Sequence, residues 1–308
     1  MSRCSSLLLL LLSASCHSTA PQGNESVDSL AYLALVYDDT IITQSARTVN
    51  FNGQALLPRY HHVTKQKGGR KLSQDIVSTK TVFGLHRNLT MALTVPYVNR
   101  RLRRSGSPTL RSQGLGDITL SGKYRYYQNS EVSKTTEAAI LLGLELPTGR
   151  TDRRDHGMRL AQPLQPGSGS LDTILGTAFT HIDNRLLINA DLFWKINAKA
   201  DNFRFGDTYR FDVGAQYRIY PERYERSDQL TVLLIAELNG SYAEQNRLHS
   251  VTQRDSGGLK VLASPGIQVI VSETLLFEAS LQLPIIQNLH GDALEQEYGT
   301  IIGLRWRF

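Results

Sequence analysis

The chain has 308 residues, 41% of them hydrophobic and 20% charged, with a formal net charge of +6 and a mean hydropathy of −0.26. No apolar run beyond the N-terminus approaches the roughly 20 residues that a spanning helix needs, so any residence in a membrane must be as strands. An isoelectric point of 9.3 is no argument for nucleic-acid binding in a chain that opens with an export signal.

That signal occupies residues 1–20. Arg3 gives a positive start, Leu7 to Leu12 are continuously apolar, and the small residues Ser13, Ala14 and Ser15 follow. Cys16 sits where a lipoprotein signal carries its lipidated cysteine, although Ser13 stands where that pattern prefers leucine. Cys4 and Cys16 are the only cysteines, so the exported body has no disulfide and needs another means of closure. Residues 21–47 show no strand alternation. Asp28, Leu30, Leu33, Val36 and Tyr37 fit a short amphipathic helix capped by Asp28, and a periplasmic extension without fixed structure or a plug inside a barrel fit equally.

From residue 48 to the C-terminus the chain reads as about twelve strands, over 48–63, 72–85, 89–101, 116–128, 136–147, 169–182, 186–199, 207–220, 229–243, 259–272, 274–287 and 297–308. Each is long enough for a tilted bilayer crossing. The pattern is clearest late in the chain. Leu186, Ile188, Ala190, Leu192, Trp194 and Ile196 alternate with Asn189, Asp191, Phe193, Lys195 and Asn197. Tyr209, Phe211, Val213, Ala215, Tyr217 and Ile219 alternate with Arg210, Asp212, Gly214, Gln216 and Arg218. At the end, Tyr298, Thr300, Ile302, Leu304, Trp306 and Phe308 face one way, and Gly299, Ile301, Gly303, Arg305 and Arg307 the other. Arginines alternating with aromatics suit lipid outside and water inside, whereas in a soluble barrel the same arginines would enter a packed core. The expected fold is an all-β, closed antiparallel transmembrane barrel in the outer membrane of a Gram-negative cell. Its terminal Trp306 and Phe308 resemble the signal by which the barrel-assembly machinery recognises such strands.

Turn lengths support the same reading. Short links at His86–Asn88, Asp183–Arg185 and Ser272–Thr274 oppose long ones at Arg100–Gly114, Thr148–Ser168 and Glu244–Gly258, as in barrels with short periplasmic turns and long outer loops. The link at Ala200–Gly206 is out of pattern, being shorter than its supposed periplasmic counterpart at Pro221–Asp228. Tyr97, Tyr126, Tyr127, Trp194, Tyr220, Tyr224, Tyr242 and Trp306 lie near strand ends and suit interfacial girdles.

Three short motifs punctuate the strands. Gly114-Leu115-Gly116-Asp117-Ile118-Thr119-Leu120 leads into Lys123-Tyr124-Arg125-Tyr126, Leu146-Pro147-Thr148-Gly149 ends a strand, and Gln165-Pro166-Gly167-Ser168-Gly169-Ser170 returns a long loop to the wall. The glycines allow tight turns, and Asp117 can accept backbone N–H groups. With Leu93-Thr94-Val95-Pro96-Tyr97-Val98, this succession resembles the proteobacterial outer-membrane family labelled "putative meta-pathway of phenol degradation". The resemblance runs from about Thr79 to the C-terminal Phe and implies a transporter for aromatic or other small organic compounds. It carries over no catalytic residue.

The inward positions Lys123, Arg125, Glu145, Asn189, Asp191, Lys195, Arg210, Asp212, Arg218, Glu237, Glu278, Arg305 and Arg307 form a mixed-charge lining. One reading is a passive pore whose selectivity these charges set, and the alternative is a structural or surface-interaction barrel in which they pair across a closed lumen. Arg150, Arg153, Arg154, Asp155, His156 and Arg159, with Arg100, Arg101, Arg103, Arg104 and Arg111, are basic loop clusters suited to lipopolysaccharide phosphates or to plain solvent. His156, His181, His249 and His290 have no partner spacing that suggests catalysis, and His61 and His62 point to opposite faces. No cofactor or metal set is expected. The expected partners are outer-membrane lipid and lipopolysaccharide, the assembly machinery and a small solute.

Overall fold

The computed structural model describes residues 39–131, 133–223 and 229–308. The expected export signal, the candidate helix after Asp28, both cysteines and Tyr224 lie outside the described residues. Twelve strands form an antiparallel meander: β1 (Gln54–Lys67), β2 (Arg70–His86), β3 (Leu89–Arg104), β4 in two parts (Ser107–Leu115 and Ile118–Glu131), β5 (Lys134–Leu146), β6 (Asp172–Asp183), β7 (Leu186–Ile196), β8 (Thr208–Tyr220), β9 (Thr231–Ala243), β10 (Gly258–Ser272), β11 (Leu275–Leu289) and β12 (Glu295–Arg307). Each pairs with its neighbours in sequence, and β12 closes on β1 with Arg59 opposite Gly303 and His62 opposite Thr300. Closure leaves no open edge in the wall, which a bilayer demands of any sheet that crosses it.

The faces follow the alternation read from the sequence. On β12 Ile302 and Trp306 are exposed while Ile301 and Arg305 are buried. Leu192, Leu238 and Val213 stand outward at mid-wall, more than half exposed. Trp194, Tyr209 and Tyr242 stack side by side at one end, with ring centroids 5.9 and 6.3 Å apart. Tyr126, Tyr127, Tyr217, Tyr220 and Trp306 stand exposed near the other. Tyr209 and Tyr220 bound β8, a span of about 28 Å along the normal at ~3.3 Å per residue and a tilt of ~40°. An apolar band bounded by two aromatic girdles places the barrel in an outer membrane.

Two expected boundaries change. Residues 48–53 are not part of the first strand: Asn52 adopts a left-handed φ of 62° and Gly53 N–H bonds Asn50 O at 2.8 Å, so the chain turns there before β1 begins at Gln54. The stretch Arg100–Gly114 is not a loop but the top of a long hairpin, paired from Tyr97↔Leu115 to Arg104↔Ser107. Cross-strand bonds there satisfy every other backbone group, which polar side chains alone do not reveal. The link between β7 and β8 runs over residues 197–207, about as long as that between β8 and β9 at residues 221–230.

The three motifs converge in space. Asp117 lies in the break of β4 and accepts Gly149 N–H at 2.8 Å and Ser168 N–H at 2.6 Å, fastening both ends of the long loop between β5 and β6 to the wall. Gly149 and Gly167 touch backbone to backbone, where a Cβ on either would come within 2.7 Å of the other. Buried Gln165 bonds Arg153 N–H and the carbonyls of Arg153 and Leu160, and its own carbonyl accepts from Arg100. Leu160 and Leu164 of the loop pack on the inward Leu72, Leu102 and Leu110 and on Leu294, folding the loop into the outer mouth.

Placing a charge on the lipid face tests the assignment of faces. Leu192→Arg is expected to destabilise the barrel by about 2–4 kcal/mol, measured by urea unfolding in lipid vesicles, and no change would mean that Leu192 does not meet lipid.

Candidate functional site

The lumen holds a segment of the chain's own N-terminal part. Residues 39–49, ahead of β1, lie within the barrel, with Thr40, Ile41, Thr43, Ser45 and Ala46 all but inaccessible. A chain without a ladder must find partners for its backbone groups, and here the wall supplies them. Glu237 of β9 accepts Ile42 N–H at 3.0 Å and Thr43 N–H at 2.8 Å. Asp191 of β7 accepts Gln44 N–H at 2.6 Å, and the hydroxyls of Thr180 and Thr90 accept Ala46 and Val49 N–H at 2.8 Å each. The segment's carbonyls are met by cations: Lys123 donates to Ser45 O at 3.0 Å and Arg305 to Thr40 O at 2.9 Å. Gly214 and Gly266 leave room on the inward face for Thr40, Thr43 and Ile41, where a Cβ would clash at 2.7 Å.

Asp39 sits at the start of this segment. Burial pushes its carboxyl upward, but Lys123, Arg305, Lys80 and a hydrogen bond from Ser45 outweigh that, holding it well below the usual carboxylate range.

All thirteen side chains singled out from the sequence occupy inward positions of their strands, and the fold gives them different partners. Glu278 holds Arg305 at 2.9 Å and Arg59 at 2.6 Å. Arg125 meets Glu137 at 2.7 Å, a carboxylate it shares with Arg47 of the interior segment at 3.3 Å. Arg210 forms an ion pair with Asp212 at 2.7 Å and lies 3.8 Å from Asp191, while Lys195 bridges Glu145 at 2.5 Å and Asp172 at 3.4 Å near the outer end. Asn189 is fully buried and accepts from Thr180 at 2.7 Å. Arg218 lies opposite buried Leu233 toward the periplasmic end, and Arg307 borders a cavity there.

Sequence reading missed Arg59, Lys80, Glu137, Asp172, Thr180 and Gln268. Glu137 sits in an inward row with Ala139 and Leu141, which masks it, and Arg59 lies in β1, where Tyr60, His61, His62 and Val63 blur the alternation. The histidine pair does split: His61 Nε2 bonds Gln282 at 2.7 Å inside, and His62 Nδ1 bonds Asp75 at 2.7 Å outside.

The lumen also carries an apolar patch, with Lys80 paired to Leu57 inside it. Inward residues of β1 to β3 form an apolar cluster of Ala55, Leu57, Val82 and Ala92 with Val49, and Leu141 continues it on β5. A cavity of about 600 Å³ lies between this wall and the interior segment, toward the periplasmic end, and its rim carries Lys80, Lys123, Arg87 and Arg307.

The Glu278 pairs make a direct test. Glu278→Ala leaves the buried Arg305 and the partly buried Arg59 without their carboxylate and is expected to cost about 3–5 kcal/mol, read from the urea midpoint of the folded barrel; a cost under about 1 kcal/mol would mean water already screens the pair.

The family model described as "Putative MetA-pathway of phenol degradation" matches residues 37–284, most of the chain. Among solved structures, an outer membrane channel from Pseudomonas putida F1 is 15% identical, with a TM-score of 0.68 over 87% of this chain and 100% of that one. The β domain of the Bordetella autotransporter BrkA is 11% identical, with a TM-score of 0.47 over 83% of this chain and 100% of that one. No curated protein matches the chain. At 15% identity the Pseudomonas channel shares the barrel fold, while the family match rests on the sequence itself: the chain belongs to the family described as "Putative MetA-pathway of phenol degradation", as a twelve-stranded outer-membrane β-barrel.

Proposed function

We propose that the barrel is a passive transporter for small organic compounds, aromatic ones among them, and that the thirteen inward polar residues line its path. The observation that carries this reading is the cavity of about 600 Å³ beside the interior segment, a volume suited to a small organic molecule. Family membership points the same way. The apolar patch of Leu57, Val82 and Ala92, set beside Lys80 on the same wall, eases the conflict between a charged lining and a carbon-rich cargo, since one molecule can meet both chemistries there. No step of catalysis is assigned to any residue. Residues 39–47, the described end of the 21–47 extension, occupy the barrel and narrow it, and Trp306 and Phe308 serve as the terminal signal for the assembly machinery.

The alternative, a closed structural barrel, draws on the ion pairs that cross the lining. Planar-bilayer recording separates the two. Wild type is expected to pass a small, fluctuating current, and Glu237→Gln with Asp191→Asn, which weakens acceptance of the segment's N–H groups, is expected to raise conductance about threefold or more. Absence of current from both proteins at every voltage favours the closed barrel.

The outer rim suits lipopolysaccharide. Arg101 and Arg111 stand directly opposite each other on the outward face, four residue pairs above Tyr97 and Leu115, and like charges so placed repel unless an anion lies between them. A guanidinium pair at the headgroup level fits a lipid phosphate. Arg101→Glu with Arg111→Glu is expected to lower the lipopolysaccharide that co-purifies by about fivefold, quantified per mole of barrel. An unchanged amount assigns both arginines to a solvated surface.

A further inference from the structure

We propose that the periplasmic-end cavity is a binding site for a small organic anion with an apolar body, such as an aromatic carboxylate. This rests on the transport reading and names the class of solute held at that cavity.

The argument begins with charge. Among the described residues seven cationic side chains border the cavity, and Asp39 is the one carboxylate beside them. Adding the acids that stand behind the lining brings in Glu137, which serves Arg47 and Arg125, and Glu278, which serves Arg305 and also Arg59. Beyond these matched guanidinium groups the lining carries Lys80 and Lys123, whose ammonium groups share Asp39. Lys80 donates to the neutral Gln44 Oε1 at 3.3 Å, Lys123 donates to Ser45 O at 3.0 Å, and Asp39 lies 3.9 Å from Lys123. Both ammonium groups are therefore held by neutral oxygens and a single shared acid. A partly enclosed space with surplus positive charge attracts an anion, because its low-dielectric walls focus the field.

Shape and polarity narrow the ligand further. The same inward surface carries the cluster of Ala55, Leu57, Val82 and Ala92, with Leu57 paired across the strands to Lys80 and Val82 two residues along from it, an apolar surface that inorganic phosphate or chloride would leave unused. A molecule with a carboxylate at one end and a flat hydrocarbon body at the other satisfies both sides, burying apolar area at ~25 cal/mol per Å² while its charge replaces the missing counter-ion. Phenol, being neutral at pH 7, meets only the apolar side. The position at the inner mouth, bordered by Arg87 of the β2–β3 turn and Arg307 near the C-terminus, makes it a last holding point on the way to the periplasm.

Isothermal titration calorimetry of the full-length barrel in detergent, with benzoate, phenol and acetate as probes, decides the matter. Benzoate is expected to bind at least about tenfold more tightly than either phenol or acetate, a preference that weakens as salt is raised. Lys80→Gln with Lys123→Gln is expected to reduce benzoate affinity about tenfold and leave phenol unchanged. Phenol binding as well as benzoate, or benzoate binding indifferent to the double substitution, overturns the anion site. The probe comparison on wild type needs no variant, and retention of heat-modifiable gel mobility shows that the double variant has folded. Conductance without a benzoate preference defeats this inference and leaves the transport reading standing. Benzoate binding without any conductance supports the site and defeats transport.

Discussion

Backbone hydrogen bonding in a medium without water is the constraint on which the rest of this structure depends. Each N–H and C=O that crosses the hydrocarbon layer must be met by another strand, so the sheet closes from β12 onto β1 and leaves no edge. Closure fixes the direction of every side chain, because successive residues of a strand face opposite sides. Aromatic and aliphatic residues are thereby committed to lipid and the charged ones to the lumen. The molecule therefore carries its most polar groups at its centre, the reverse of a soluble domain.

A polar interior creates a second problem of accounting, and the interior segment is part of its solution. Residues 39–49 bring unpaired backbone groups into a space lined with carboxylates and cations, and the two sets satisfy each other: Glu237 and Asp191 take N–H groups, Arg305 and Lys123 meet carbonyls. The lining thus has a role that neither a free pore nor a set of mutual ion pairs describes. Its charges are divided between one another and the chain they hold. Where that division is uneven, beside β1 to β5, Lys80 and Lys123 share one carboxylate next to an apolar patch that lines the same cavity.

The outer end follows a different logic. There a single carboxylate, Asp117, accepts one N–H from each end of a long loop, and glycines at 149 and 167 permit the backbones to touch. Charge-assisted bonds of this kind are among the stronger ones available to a loop. With Leu160 and Leu164 buried against the upper wall, the loop becomes part of the barrel's interior rather than a solvent-exposed excursion.

How much of this was legible beforehand follows from the range of each signal. Alternation with a period of two is local, so twelve strands, their outward faces on β7, β8 and β12, and the inward set from Lys123 to Arg307 could be read from residue order alone. It fails where inward residues are apolar, as around Glu137, or where outward ones are polar, as with Tyr60 and His62 of β1. The hairpin through Arg100–Gly114 was hidden for a related reason: above the lipid both faces become polar and the period disappears, although the backbone ladder continues. Which charge meets which was decided only by closure and register. Glu278 and Arg59 are 219 residues apart and Thr43 and Glu237 194, and nothing in their local sequence states that the wall brings them within hydrogen-bonding distance. Sequence by itself determined what each face would tolerate, because solvent acts on residues one at a time; the tertiary structure alone decided the partners, because pairing across a lumen depends on every strand in between.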